Sequence, residues 1–356
     1  MRQPITTFDE FRDALSAYRL PRVILAALEL KLFTVIGKAT WLLPDLAREL
    51  KVSERGLSIL CRNLAMAGLL YKHGNRYRNS PLAATALNAD DPNYRGSYLD
   101  LITNHWSDWL RLLESVKSGE PLDKDEPEEP DYRRRFTWAM HHRTLETAPM
   151  IAAQLPLKGV NTLLDLGGGP GTYAMAFLAK HPRLRATVCD RPAALEVAKD
   201  IAATHKAGAR LSYLPLDLLT DDIPGPFDVV WYSNVLHIYS PAQNQDVFRR
   251  AKEALADGGG RLIIQDAFLH DREGLFPEEA SLFAVSMLLF TEGGNTYSVA
   301  ETSAWLKDAG FDSVRPVRMK KGKEDWEGGI LEAAVLRGRS KRHGHRTRSA
   351  KNSHIR

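Results

Sequence analysis

Apolar residues recur at helical spacing through the first part of the chain. Between residues 8 and 33 they fall at Phe11, Leu15 and Tyr18, then at Val23, Ala26, Ala27 and Leu30. That spacing lines one face of a helix. Pro21 marks a kink or a break between two helices there. The apolar face is broader than a small domain's own core requires, so burial against a partner subunit competes with intrachain packing. Residues 44–50 predict a short helix with Pro44 in its first turn. Ser53 is placed to cap the next helix, which runs to about Ala67 with Leu57, Leu60, Leu64 and Ala67 facing inward, and Gly68 ends it. Residues 69–71 and 76–78 flank His73-Gly74-Asn75, a hairpin signal. Helix, helix, hairpin is the order of a winged helix. Residues 91–119 and 132–155 read as two further helices.

From residue 161 the period changes. Short apolar runs at 162–166, 185–190, 211–214, 227–232 and 261–266 alternate with helical stretches at 172–180, 192–206, 243–256 and 299–309. Two last strands, near 313–318 and 330–336, are separated by a polar loop and suit an antiparallel pair. Such alternation predicts an α/β fold with a mostly parallel, doubly wound sheet.

The stretch Leu164-Asp165-Leu166-Gly167-Gly168-Gly169-Pro170-Gly171 sits between the first of these strands and its helix. Glycine allows a sharp turn and lets a ligand lie against bare main chain. The spacing is G-x-G-x-G. The dinucleotide pattern would need glycine at 172, where Thr172 stands. Asp165 also places negative charge where a pyrophosphate would approach, and suits a cationic ligand instead.

Ligands of such sheets sit beyond the carboxyl ends of the strands. Asp165, Asp190, Asp217, Ser233, Asn234, His237 and Asp266 all fall there. Asp190, about twenty residues past the glycine loop, suits both hydroxyls of a ribose. Asp217 with Leu218 suits an adenine ring, and a turn aspartate explains it nearly as well. His237 follows the fourth strand and Asp266 closes the fifth, so neighbouring parallel strands bring them to one edge. An imidazole there can take a hydroxyl proton, and a carboxylate can fix its tautomer.

Composition narrows the picture. The formal net charge of +4 comes from residues 337–356, which hold eight Lys or Arg and no acid. The rest carries 40 basic and 44 acidic residues. The basic tail lacks the apolar residues of a core and is expected to be disordered; nucleic-acid binding by it is not expected. Residues 120–131 hold seven acids and three prolines, a solvated loop. Cys61 and Cys189 form no metal or disulfide pattern, and His141 and His142 are adjacent on a helix and diverge. No metal is therefore expected. No stretch is long and apolar enough to span a membrane, and the two cysteines without a disulfide pattern make a reducing cytoplasm the expected location.

On these residues the chain resembles the small-molecule O-methyltransferases of the caffeic acid and hydroxyindole O-methyltransferase type, including bacterial secondary-metabolite members. The resemblance covers about residues 10 to 336. It implies a class I, Rossmann-like methyltransferase domain at 156–336 with an antiparallel last strand. It implies a winged-helix-like dimerisation domain at 1–90, a helical linker and substrate-lining region at 91–155, and the tail at 337–356. The cofactor it implies is S-adenosyl-L-methionine, held by Asp165, Gly167, Gly168, Gly169, Asp190, Asp217, Leu218 and Ser233. His237 falls on the catalytic base and Asp266 on the acid that orients it. Phe136 and Met140 match a Phe-x-x-x-Met pattern, and Met140 and Met287 would clamp a small-molecule acceptor. A homodimer through the N-terminal domain is implied as well.

Three positions depart from the family pattern. His237-Ile238-Tyr239 stands where His-Asp-Trp is common, Thr296 stands where plant members carry a second acid, and Ser233 stands where a basic residue often contacts the donor's carboxylate. Methylation of carbon or nitrogen stays open on these grounds. A DNA-binding regulator built on the same fold is the rival from another class, although Arg55, Arg62 and Asn63 make a sparse recognition helix.

Overall fold

Two sheets organise the chain, and the computed structural model describes residues 4–122, 130–257, 259–319 and 329–335, with only the backbone of Pro130. Residues 123–129 of the solvated acidic loop expected at 120–131, and the disordered basic tail expected at 337–356, lie outside the described residues.

The N-terminal apolar stripe folds as three helices, α1 (Phe8–Ser16), α2 (Arg19–Glu29) and α3 (Leu32–Ile36). The first break falls at Ala17–Tyr18 and not at Pro21. Pro21 lies in the first turn of α2, where its missing N–H has no partner to lose. The second break is at Lys31, in left-handed conformation with φ +53°. Strand β1 (Trp41–Leu42) leads into α4 (Leu43–Glu49) and α5 (Glu54–Met66). Ser53 caps α5, its Oγ accepting the Gly56 N–H at 3.3 Å. The buried stripe of α5 is Leu57, Cys61 and Leu64, so Cys61 takes the place expected for Leu60. The hairpin forms from β2 (Leu70–His73) and β3 (Arg76–Asn79), and β1 joins the far side of β3. A two-residue strand leaves no periodicity, which is why the pattern did not disclose it. Asn79 ties this domain together, donating to the carbonyls of Phe33 at 2.7 Å and Gly37 at 3.0 Å. Helix α1 buries none of its residues, and Phe8, Phe11, Leu15 and Tyr18 all remain exposed.

A short helix, α6 (Pro81–Thr85), is followed by α7 (Gly96–Leu110), α8 (Leu112–Ser118), α9 (Pro130–Thr144) and α10 (Thr147–Gln154). The single helix expected over 132–155 is thus two. Pro149 explains the break, since its ring would clash with the carbonyl four residues back, at Leu145.

The C-terminal part runs β4 (Thr162–Leu166), α11 (Thr172–Lys180), β5 (Arg185–Asp190), α12 (Pro192–Ala203), β6 (Leu211–Pro215), β7 (Val229–Ser233), α13 (Pro241–Glu253) and β8 (Arg261–Asp266). Helices α14 (Glu278–Phe290) and α15 (Val299–Asp308) and strands β9 (Ser313–Pro316) and β10 (Gly329–Ala334) complete it. The sheet order is β6-β5-β4-β7-β8-β10-β9. Strands β4 to β8 are parallel, and β10 runs antiparallel between β8 and β9. Both faces are packed. Leu163, Trp231 and Ile263 join one apolar cluster, and their neighbours Leu164, Val230 and Ile264 join another. That alternation gives fully buried strands. Asp165, Asp190, Ser233, Gln265 and Asp266 lie at or next to the carboxyl ends of β4, β5, β7 and β8. Among the described residues no helix is long and apolar enough to cross a membrane.

Candidate active site

The turn after β4 is shaped by glycine. Gly167 has φ +69°, and a Cβ on it would lie 2.8 Å from Val235. A Cβ on Gly168 would lie 2.5 Å from the Asp165 carboxyl carbon. Real Cβ atoms do not tolerate such approaches, so the loop needs glycine at both positions. The Gly167 and Gly168 N–H groups donate to the Cys189 carbonyl at 2.8 and 3.2 Å, which pins the loop to β5. Gly169 lies under Asp190.

Asp165 is buried beneath this loop, and burial pushes its carboxyl up to about 7, with the Ala174 N–H opposing and the Asp190 charge adding. Its Oδ2 has no hydrogen-bond partner among the described residues. An orphaned buried carboxylate oxygen is costly and is satisfied by a cation. The fold favours the protonated acid, so this stabilisation is present below the ordinary carboxyl pKa of ~4 and is lost as pH rises through about 7. Melting temperatures of the wild type and Asp165→Asn between pH 4 and 8 check this. The wild type should lose ground to the variant as pH rises, and a constant difference would contradict it.

Asp190 ends β5. Its Oδ2 accepts the Gly169 N–H at 2.8 Å and its Oδ1 the Arg191 N–H at 2.7 Å. Burial raises its pKa, against these two donors. Asp217 is committed locally. Its Oδ1 accepts the Leu219 N–H at 2.9 Å, and its Oδ2 lies 3.5 Å from the Arg191 guanidinium. These contacts anchor its own turn. Leu218 is buried against the loop, its Cδ2 3.6 Å from the position of a Gly167 Cβ. Ser233 is also occupied, donating to Gln265 Oε1 at 2.6 Å and accepting from Asn234 Nδ2 at 3.1 Å. A polar side-chain network therefore closes the end of β7 where a basic residue was the alternative.

His237 lies in a short turn after β7 and is 7 % exposed. Its Nδ1 is 2.7 Å from Asp266 Oδ1. A carboxylate only accepts, so Nδ1 is the donor to it, and in the neutral imidazole the lone pair then sits on Nε2. Asp266 is held in turn by the Ala267 N–H at 2.7 Å. The Phe283 ring meets the imidazole edge to face at 4.8 Å. Behind His237, its carbonyl accepts the Asn295 N–H at 3.0 Å, and a Cβ on Gly294 would lie 2.3 Å from that carbonyl oxygen. The Gly-Gly turn thus buttresses the histidine. Thr296, next along, is buried with its hydroxyl unpartnered among the described residues.

Beside the pair opens a cleft of about 220 Å³, walled by Trp109, Arg143, Asn234, Ala267, Glu279 and Phe283 among others. Met140 and Met287 are not among its walls. Met287 is buried on α14, whose Phe283 and Ser286 face the cleft instead. Sequence reasoning missed Trp109 and Arg143, which come from α7 and α9 and carry no motif. It also missed Asn234 as a wall residue. Its φ of +56° is a strained conformation of the kind that collects at functional sites. His141 is a further surprise. Its Nδ1 lies 2.8 Å from the Thr172 hydroxyl in the first turn of α11, and burial with nearby His142 and Arg95 lowers it to about 4. It is a neutral strut between α9 and the glycine-loop helix. No group of three or more His, Cys, Asp or Glu suited to a metal occurs among the described residues.

A seven-stranded sheet of this order, with a glycine loop after β4 and a carboxylate at the end of β5, is the framework of a class I methyltransferase. Comparison with known proteins makes this particular. Residues 118–312 match the O-methyltransferase domain, and residues 13–89 match the O-methyltransferase dimerisation domain. The chain is 31% identical over 304 residues to 3-hydroxy-5-methyl-1-naphthoate 3-O-methyltransferase of Streptomyces sahachiroi, covering 83% of this chain and 87% of that one. It is 30% identical over 305 residues to the tetracenomycin polyketide synthesis 8-O-methyltransferase of Streptomyces glaucescens, covering 83% and 88%. The solved mitomycin 7-O-methyltransferase superposes with TM-score 0.75 at 26% identity, covering 93% and 97%. The chain belongs to the O-methyltransferase family and is an S-adenosylmethionine-dependent methyltransferase. The winged helix is accordingly a dimerisation domain, and the regulator reading falls away.

Proposed function

We propose that this enzyme methylates a hydroxyl on a small aromatic acceptor bound in the cleft, with His237 as general base. The observation that carries the reading is the buried His237–Asp266 pair, 2.7 Å apart, which packs directly behind Phe283 and Ala267 of the cleft wall. The hydroxynaphthoate named for the Streptomyces sahachiroi relative, and the O-methyl transfer in polyketide synthesis named for the Streptomyces glaucescens one, support the substrate class. S-adenosylmethionine, when bound, supplies an electrophilic methyl group. The glycine loop with Gly167, Gly168 and Gly169, the carboxyls of Asp165 and Asp190, and the Leu218 side chain would hold it. Asp165's orphaned oxygen and the bare main chain of the loop fit a cationic nucleoside.

A phenol has a pKa near ~10 and is protonated at neutral pH. Nε2 of His237 accepts that proton as the oxygen attacks, and Asp266 stabilises the imidazolium that forms. Holding oxygen and methyl in line supplies much of the rest. Burial of the pair keeps bulk water from competing for the proton. No divalent ion takes part in this proposal. The exposed apolar face of α1 would pair with a second copy through the dimerisation domain, and a homodimer is the expected assembly.

A panel of hydroxyaromatic compounds and their methyl ethers tests the reading. Phenolic members should gain one methyl group from labelled donor, with or without a chelator, and their ethers should gain none. Turnover of the ethers, or loss with chelator and return with magnesium, would sink it.

A further inference from the structure

The sulfonium of the donor carries three groups, and two of them are accounted for. The adenosine lies toward Asp190 at the end of β5, and the methyl faces the cleft that Asn234 and Ala267 line after β7 and β8. The ends of β4 and β7, which lie between, are left for the third group, an α-amino acid arm. Two kinds of polar group stand there. Asp165, whose Oδ2 has no partner among the described residues, suits the ammonium. Its register partner on β7 is Trp231, and the ring of Tyr173, from the first turn of α11, packs against Trp231 with centroids 5.4 Å apart. Ser233, two residues on, shares that face of the sheet and pairs in register with Gln265 on β8. Tyr173 is 7 % exposed and Gln265 is buried too.

The side chains of Tyr173, Ser233, Asn234 and Gln265 form one group without an acid. The Ser233 hydroxyl donates to Gln265 Oε1 at 2.6 Å and accepts from Asn234 Nδ2 at 3.1 Å. Burial raises the pKa of Tyr173, whereas Gln265, Asn234, the Arg143 charge and Ser233 all act to lower it. These polar neighbours therefore favour negative charge at the position of that hydroxyl.

We propose that Tyr173, with Gln265, Ser233 and Asn234, receives the carboxylate of the donor's amino-acid arm, while Asp165 receives its ammonium. This rests on the reading that the donor lies over the glycine loop with its ribose at Asp190. Hydroxyl and amide donors bind a carboxylate through charge-assisted hydrogen bonds. A zwitterion that meets an acid on one side and donors on the other has one orientation, and that orientation aims the methyl group at the cleft. Tyr173 is then a donor-binding and positioning residue, with no part in proton transfer.

Calorimetry on the full chain compares S-adenosylmethionine with its decarboxylated form, which keeps the sulfonium and the ammonium and lacks only the carboxylate. Wild type should bind the complete donor about 10- to 100-fold more tightly, the worth of hydrogen bonds to a charged group. Tyr173→Phe keeps the ring on Trp231 and removes the hydroxyl. It should shrink that ratio about 10-fold by weakening the complete donor alone. Gln265→Leu removes the amide from the other side and should shrink the ratio as well. It keeps the question answerable where Tyr173→Phe fails to fold, as circular dichroism would show. Equal affinity of wild type for the two ligands overturns the proposal. So does a Tyr173→Phe variant that loses affinity for both ligands alike, the mark of a purely structural residue. Asp190→Ala should weaken both ligands to the same degree. A ratio that depends on Tyr173, together with no effect of Asp190→Ala, would uphold the carboxylate site and defeat the placing of the ribose at Asp190 instead.

Discussion

His237→Ala is expected to lower kcat by about 10²- to 10⁴-fold on an ordinary phenolic acceptor, the range typical of a lost general base. Affinity for S-adenosylmethionine should stay close to that of the wild type. The two effects separate because His237 stands on the acceptor side, against Phe283 and the cleft, while the glycine loop and Asp190 stand over β4 and β5. The side chain leaves a small space lined by Phe283 and Asp266. Asp266 then loses its imidazole partner but keeps the Ala267 N–H. Some loss of stability will accompany this, so turnover is to be read at a temperature where circular dichroism shows the variant folded. Steady-state kinetics and calorimetry on the same sample check both halves. Equal turnover by variant and wild type would move the base elsewhere.

Asp190→Ala is expected to weaken donor binding by about 10- to 100-fold, with hydrogen bonds to a charged group worth about 1.5–3 kcal/mol each. Two losses combine. The carboxylate would no longer be offered to the ribose hydroxyls, and the Gly169 N–H would lose the acceptor that holds the loop at 2.8 Å. Asp190→Asn retains the acceptor oxygen for Gly169 without the charge, so it should fall between the two. Calorimetry with S-adenosylmethionine measures this directly. Unchanged affinity in Asp190→Ala would remove the residue from the donor site.

Much of the catalytic half was legible because its signals are local. A buried strand, a glycine turn and a helix succeed one another within 162–180, and the parallel alternation then brings strand ends together. His237 and Asp266 were found from strand adjacency alone, and β7 and β8 do pair in parallel. What was hidden depends on tertiary packing. Arg143 and Trp109 reach the cleft from helices far upstream, and no period announces which face of α7 or α9 will meet α14. Met287 was placed by resemblance ahead of the Gly293-Gly294 turn; it is buried on α14, whose Phe283 and Ser286 line the cleft. Asp217 follows β6, and its local contacts with Leu219 and Asp221 carry no signal in the sequence beyond the four-residue spacing of the two aspartates. Pro149 was a local signal overlooked, and it splits α9 from α10.

The helical N-terminus is a different case. Its stripe predicted helices correctly but not what covers them. Phe8, Phe11, Leu15 and Tyr18 are exposed in the single chain, and of these Leu15 and Tyr18 fall within the dimerisation-domain match over residues 13–89.

Whether His237 removes the acceptor's proton is decided by how the His237→Ala penalty depends on the acidity of the acceptor hydroxyl. Single-turnover methyl transfer is measured for a parent phenol and for a nitro-substituted analogue already ionised at the assay pH. The penalty should be about 10²-fold or more for the parent. It should be small for the ionised analogue, which needs no base. An equal penalty for both acceptors would refute the assignment, because His237 would then act on something other than the proton.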